Sequence, residues 1–180
     1  SYPSGAYSSD AHYYLGAIAD ENNEIPKAVS HFKQVIDANN GKFLENALAY
    51  VAENEYNGGN YQEALAHYAR LNNAAQSLAH KQTAQLGMAR ANTRLNNFHE
   101  VTRSVDQLLT NQNLSPETIT EAHYLRGKAY QQVREVDKAM SDFAAIAKDT
   151  RSIYGAEAQY LMAQSYYNWK SYDKAEAQVK

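Results

Sequence analysis

The chain has 180 residues, a formal net charge of −3 and a pI near 6.1. That is room for one domain or a stretch of a repeat array, and the mild acidity argues against a nucleic-acid binder, which displays a basic face. The absence of cysteine excludes disulfides and thiolate metal sites without choosing a compartment, and there is no apolar run of about 18 residues to span a membrane.

Val and Ile are sparse, Ala, Leu, Gln, Glu and Lys are plentiful, and prolines and glycines are few, so helix is favoured throughout. The opening stretch SYPSGAYS reads as the exit loop of a preceding element. Helices are predicted over 9–22 and 25–38, then 43–57 and 61–73, with NGGN at 57–60 as a glycine stop between the second two. The stretch 72–80, NNAAQSLAH, reads equally as an extended helix or a loop. Helices over 80–95 and 98–110 follow. LSPE at 114–117 marks the next start, with Ser115 as N-cap and Pro116 in the first helical position. Helices over 116–133, 136–148, 154–168 and 172–180 complete the chain. No polar capping helix follows the last, so a fragment of a longer array is expected; a natural short chain with a frayed end is the alternative.

Four phrases are nearly the same: EIPKAVSHF (24–32), NYQEALAHY (60–68), EVDKAMSDF (135–143) and SYDKAEAQV (171–179), with a degenerate relative, NFHEVTRSV (97–105). Their anchors are Ala28, Ala64, Val101, Ala139 and Ala175, spaced 36, 37, 38 and 36 residues apart. Four residues after the anchor stand Phe32, Tyr68, Val105, Phe143 and Val179; three before it stand Ile25, Tyr61, Phe98, Val136 and Tyr172; twelve before it stand Gly16, Ala52, Ala89, Gly127 and Ala163. Small residues in two registers let two antiparallel helices approach, and bulky residues beside them fill the remaining space. One such pair cannot bury its apolar face alone, so pairs must stack.

This register resembles the tetratricopeptide repeat, a helical hairpin with Leu-Gly and then Tyr in the first helix and Ala followed by Phe in the second. Leu15-Gly16, Ala28 and Phe32 match in the first copy, Ala64 and Tyr68 in the second, Gly127, Tyr130, Ala139 and Phe143 in the fourth, and Tyr166 and Ala175 in the fifth. The family's Trp is replaced by His12, Leu48, Gln85, His123 and Gln159, the third copy has Val101 at its anchor, and the period exceeds that of the family. The resemblance implies an all-α, right-handed superhelix of about five helix-turn-helix repeats, in one array over 1–180 with repeats near 9–42, 45–78, 82–115, 120–153 and 156–180. YPSGAYSSDAHYYLG is further similar to junctions of bacterial envelope tetratricopeptide proteins. This points to a periplasmic or outer-membrane-associated protein, with the cytoplasm left open.

The residues offer little chemistry. His31 and His67 share one repeat position, and His12 and His123 another, so periodicity accounts for them; no pair has the i, i+4 spacing of a helical zinc site. There is no phosphate loop, nucleophile elbow or close carboxylate pair. We therefore expect no enzyme, no metal and no cofactor. Fifteen tyrosines are the stronger anomaly. Tyr61, Tyr68, Tyr130, Tyr166 and Tyr172 fall in packing registers. The family builds its inner wall from the first helix of each pair. Carried over by position, that wall receives Tyr13, Tyr124 and Tyr160 at one level, Arg90 and Lys128 at the next, and Tyr56, Tyr167 and Arg94 beyond. The family's chaperone-tail clamp needs a Lys and Asn set, and Tyr13, Ala17 and Tyr50 stand there instead, so that activity is not implied.

The expected function is a non-catalytic protein-interaction scaffold holding an extended peptide or a partner helix in the concave groove. Arg90, Arg94 and Lys128 would form a basic strip there for an acidic or carboxylate segment, unless Glu53, Glu121 or Glu157 neutralises it. The alternative is a structural spacer, or a self-associating segment of a long envelope protein joined through an open C-terminal repeat.

Overall fold

The computed structural model describes residues 6–39, 41–149 and 152–168, with side chains from residue 8 onward. Among these residues there are nine helices and no strand: α1 (Ala6–Glu21), α2 (Ile25–Ala38), α3 (Leu44–Asn57), α4 (Tyr61–Ala74), α5 (Leu78–Arg94), α6 (Phe98–Leu109), α7 (Pro116–Gln132), α8 (Val136–Ile146) and α9 (Ile153–Asn168). The ambiguous stretch at 72–80 is a break. Ala75 leaves α4 in an extended conformation, and the Ser77 hydroxyl accepts the His80 amide at 3.1 Å to open α5. At the start of α7 Ser115 accepts the Thr118 amide at 3.1 Å and Pro116 follows. The second helix expected at 172–180, with Tyr172, Ala175 and Val179, lies outside the described residues.

One turn closes every described hairpin. Its central residue, five before the anchor, has positive φ: Asn23 (58°), Gly59 (82°), Asn96 (59°) and Arg134 (63°). The next amide reaches back to the first helix, as Glu24 to Ala19, Asn60 to Glu55, Asn97 to Asn92 and Glu135 to Tyr130, at 2.8, 2.8, 2.9 and 2.9 Å. Each anchor amide then donates to the carbonyl at the start of the second helix, Ala28 to Glu24, Ala64 to Asn60, Val101 to Asn97 and Ala139 to Glu135. Both ends of the joint are thereby satisfied without a side-chain cap.

The described helices fall into two compact units divided after Ala91. In the first, α1 packs on α2, α2 on α3 and α3 on α4, around a core of Ala28, Phe32, Val35, Ile36, Leu48, Val51, Leu71 and Ala84. Tyr68 sits with Ala52 and Ala64 in an adjoining cluster. In the second, α6 packs on α7, α7 on α8, and α9 on both α8 and α7; Val105, Leu108, Ala139 and Phe143 are buried there.

The small residues twelve before the anchor are all buried, and two show why. A Cβ on Gly16 would stand 3.0 Å from the Phe32 ring, and one on Gly127 would stand 2.6 Å from Phe143 Cε1 and 3.2 Å from Asp142 Cβ. In both hairpins the ring four residues past the anchor packs against a first helix that has no side chain at that point. Gly127→Leu should therefore cost about 1–3 kcal/mol through overpacking; an unchanged thermal melt would contradict the register. Arg134 holds a left-handed conformation that costs a residue with a Cβ about 1–2 kcal/mol. Arg134→Asn, the residue found at Asn23 and Asn96, should raise stability by about 0.5–1 kcal/mol in denaturant unfolding.

Candidate interaction surface

The first helices carry the residues singled out for recognition, and their surroundings differ. In the first unit Tyr13 is half-buried. Its ring stacks on Phe43 with centroids 3.8 Å apart and an interplanar angle of 2°, and meets Phe32 edge-on at 5.6 Å. It thus fastens α1 to the segment that begins α3. Tyr56 meets Tyr61 edge-on at 5.4 Å and packs on the Tyr68 cluster. The Tyr68 hydroxyl donates to Glu53 at 2.9 Å. Burial and that carboxylate push the Tyr68 phenol up, while the half-buried Arg90 pulls it back. Tyr50, next along the wall, donates to Asp20 at 2.6 Å; burial and this bond push its phenol up to about 12.

In the second unit Tyr124 is 8% exposed. Its ring lies 4.8 Å from that of Tyr154. Lys128 Nζ donates to its hydroxyl at 3.1 Å and pairs with Glu157 at 3.5 Å. Burial, reinforced by Glu157, pushes this phenol up as well. Lys128 is thus engaged by the acid that was weighed against the basic strip. Arg94, at the end of α5, is exposed. Tyr160 and Tyr167 are 60% and 64% exposed. They lie seven residues apart, two turns along one face of α9, with Gln164 between them donating to the Tyr160 hydroxyl at 3.5 Å. Tyr160 is far more open than Tyr124, its counterpart one repeat earlier, whereas Leu161 and Leu125 are equally buried at 8%.

A buried polar network in the same unit was not anticipated. Asp142 in α8 is almost wholly buried. Arg126 donates Nε to its Oδ2 at 2.9 Å and Nη2 to its Oδ1 at 2.7 Å, and His123 Nδ1 bonds Oδ1 at 2.8 Å. Arg126 Nη1 also donates to Asp106 in α6 at 2.6 Å, so one guanidinium ties three helices together. Burial works to raise the Asp142 pKa, but the His123 and Arg126 bonds outweigh it and hold the carboxyl below its ordinary range. The signal was present in the repeat: Arg126 stands thirteen before its anchor, where the other copies have Leu15, Val51, Met88 and Met162. A charge in an apolar register needs a buried partner. In the first unit Glu55, at a different repeat position, is also a buried acid, held by His67 at 2.6 Å and by Lys33 of the preceding hairpin at 2.8 Å.

His67 and His123 face these acids. His12 and His31 face one another across an Nδ1···Nδ1 hydrogen bond of 3.1 Å, in which one ring donates N–H and the other accepts, and His80 bonds Glu45 at 2.9 Å. Among the described residues no group of three side chains converges as metal ligands, and no helix is long and apolar enough to cross a membrane.

Superposed on solved structures, this arrangement of hairpins is the tetratricopeptide-repeat fold. A tetratricopeptide repeat protein from Parabacteroides merdae aligns over 96% of this chain with a TM-score of 0.74 and 20% identity, and this chain spans 64% of it. MamA from Desulfovibrio magneticus RS-1 aligns over 96% of this chain and 91% of its own, with a TM-score of 0.74 and 12% identity. Kinesin light chain TPR-like repeats from Podosopora anserina align over 98% and 94%, with a TM-score of 0.62 and 17% identity. No protein-family model matches the chain, and no curated protein is similar to it in sequence.

The network yields a stability prediction. Asp142→Ala leaves Arg126 without its buried partner and should cost about 3–5 kcal/mol. The pair Arg126→Met with Asp142→Ser, which copies Met88 and Ser104 of the third repeat, should recover most of that. Because the folded carboxyl titrates below its unfolded value of 3.8, its stabilisation is complete above that pH and is lost as pH falls through the folded value. Acid unfolding of Asp142→Asn should accordingly show a shallower loss of stability below pH of about 4 than the parent chain.

Proposed function

We propose that the chain is a non-catalytic interaction scaffold that takes an extended peptide or a partner helix against the exposed faces of its first helices. The observation that carries this reading is the pair Tyr160 and Tyr167, two large amphipathic rings exposed on one face of α9, whereas among the packing-register tyrosines Tyr68 is buried and Tyr61, Tyr130 and Tyr166 are half-buried. Tyrosine combines apolar area with a hydrogen-bonding group at low entropy cost, which suits an anchor. Tetratricopeptide folds of the solved structures lend support to a role in protein association, at the level of fold alone.

Within this reading α9 supplies the anchors in the second unit, and Tyr124 with Lys128 and Glu157 forms a settled polar border beside them. Arg94 in that unit attracts an acidic or carboxylate-bearing segment and sets its register, since rim charges act mainly on association rate. Tyr13 and Tyr56 shape the wall of the first unit from within.

The test is selection of binders from a random dodecapeptide display library, followed by titration of the best sequences. Tyr160→Ala with Tyr167→Ala should weaken binding by about tenfold or more, since a central aromatic anchor is worth about 1–2 kcal/mol or more. Arg94→Glu should slow association and flatten its salt dependence. A library that yields no saturable binder, or binders indifferent to both variants, would overturn the proposal.

A further inference from the structure

Two positions of the repeat, sixteen before the anchor on the first helix and three after it on the second, meet across the hairpin in two copies. They hold His12 with His31 in the first copy and His123 with Asp142 in the fourth, hydrogen-bonded at 3.1 Å and 2.8 Å. The second copy has Leu48 and His67 at these positions, and the third has Gln85 and Ser104. The fourth pair is already served by a cation, because Arg126 donates to the same Asp142 oxygen at 2.7 Å. The first pair is not. Leu15 stands where the fourth copy has Arg126, and among the described residues each ring is bonded to the other alone.

His12 and His31 come from facing helices, so the argument against i, i+4 ligands on one helix does not bear on them. Their Nδ1 atoms lie 3.1 Å apart, with ring centroids at 5.4 Å and an interplanar angle of 38°. Metal–imidazole bonds of about 2.0–2.1 Å place two neighbouring ligand nitrogens about 2.8–3.4 Å apart, for bond angles from square to tetrahedral. The observed separation falls inside that interval. As found, one ring presents N–H and the other its lone pair. A metal draws both lone pairs to a point beside the N···N line, by a turn about χ2, a torsion whose well is broad. The donor ring gives up its Nδ1 proton and takes one up at Nε2, so both bind as neutral imidazoles and no net proton is released. Both rings are half-buried. Access does not depend on where the sequence begins: in α7, which packs against α6, α8 and α9, the equivalent His123 keeps 22% of its side chain exposed.

We propose that His12 and His31 form a two-histidine site for a divalent late first-row transition-metal ion, copper(II) most tightly, with water in the remaining positions. Imidazole suits these ions, whereas magnesium and calcium take oxygen ligands. The bound ion replaces one hydrogen bond with two coordinate bonds and ties α1 to α2. The site is separate from the tyrosine face of α9 and stands whether or not that face takes a peptide.

The untagged chain is titrated with copper(II), and separately with zinc(II), by calorimetry, and its copper form is measured by electron paramagnetic resonance. One saturable copper ion per chain is expected, with splitting from imidazole nitrogen, and zinc should bind more weakly. His12→Gln and His31→Ser each copy the third repeat, so each places at its register a residue that the fold accepts. Each should weaken copper binding by about tenfold or more, since even a residue outside the ligand sphere is worth about tenfold to a hundredfold. Thermal melts in chelator establish that both variants are folded. His99→Gln, on an exposed histidine of α6, should change nothing. The proposal is overturned by absence of saturable binding, by a copper spectrum without imidazole nitrogen, or by equal affinity in the parent and the two variants. A loss that His99→Gln produces equally places the ion elsewhere and overturns it too.

Discussion

Three of the four described hairpins depend on the contact between an aromatic ring and a backbone with almost nothing in front of it, while the α5–α6 hairpin has Val105 in the ring's place. Phe32 against Gly16 and Phe143 against Gly127 bring the paired helices together, and Tyr68 does the same among Ala52 and Ala64. Dispersion between a flat ring and a bare helix is strong only at contact distance, so a single added methyl group displaces one helix from the other. The rest follows from that distance. The anchor alanine is small because the helices are close, and the three-residue joint can close because their ends already converge.

Much of this was legible in the amino-acid sequence for a specific reason. Anchor, ring and bare position recur at constant offsets, and each repetition tests the others. The boundaries of α2, α3 and α6 fall within a residue of expectation because Pro26, Gly58 and Phe98 stand at points where the backbone pattern must change. Gaps such as 75–77 were harder. Ala74 and Ala75 suit a helix, and it is Ser77 that ends the ambiguity by capping α5.

Side-chain surroundings were less legible. Position placed Tyr124 and Tyr160 alike, yet one is enclosed by Tyr154, Lys128 and Glu157 while the other stands open. Repeat position governs where a side chain starts, but its exposure is decided by residues from neighbouring hairpins, and these do not repeat. Arg126 shows the converse. Its charge is foreign to its register, and that discord was a sign of the Asp142 contact that the helix pattern alone does not contain. Polar specificity here is written in departures from the repeat, while the fold is written in conformity to it.

The uniform hairpin joint has a consequence for how such a chain changes over generations. Every described joint has the same three-residue length and the same pattern of backbone bonds, whereas the gaps between hairpins run from three residues after α4 to six after α6 and α8. A gene segment exchanged between two repeats with its crossover at the joint delivers a second helix into a socket of unchanged geometry. Length differences accumulate in the gaps instead, where the backbone is not held to one conformation. Shuffling of half-hairpins can therefore mix one repeat's recognition face with another's packing face without refitting the joint.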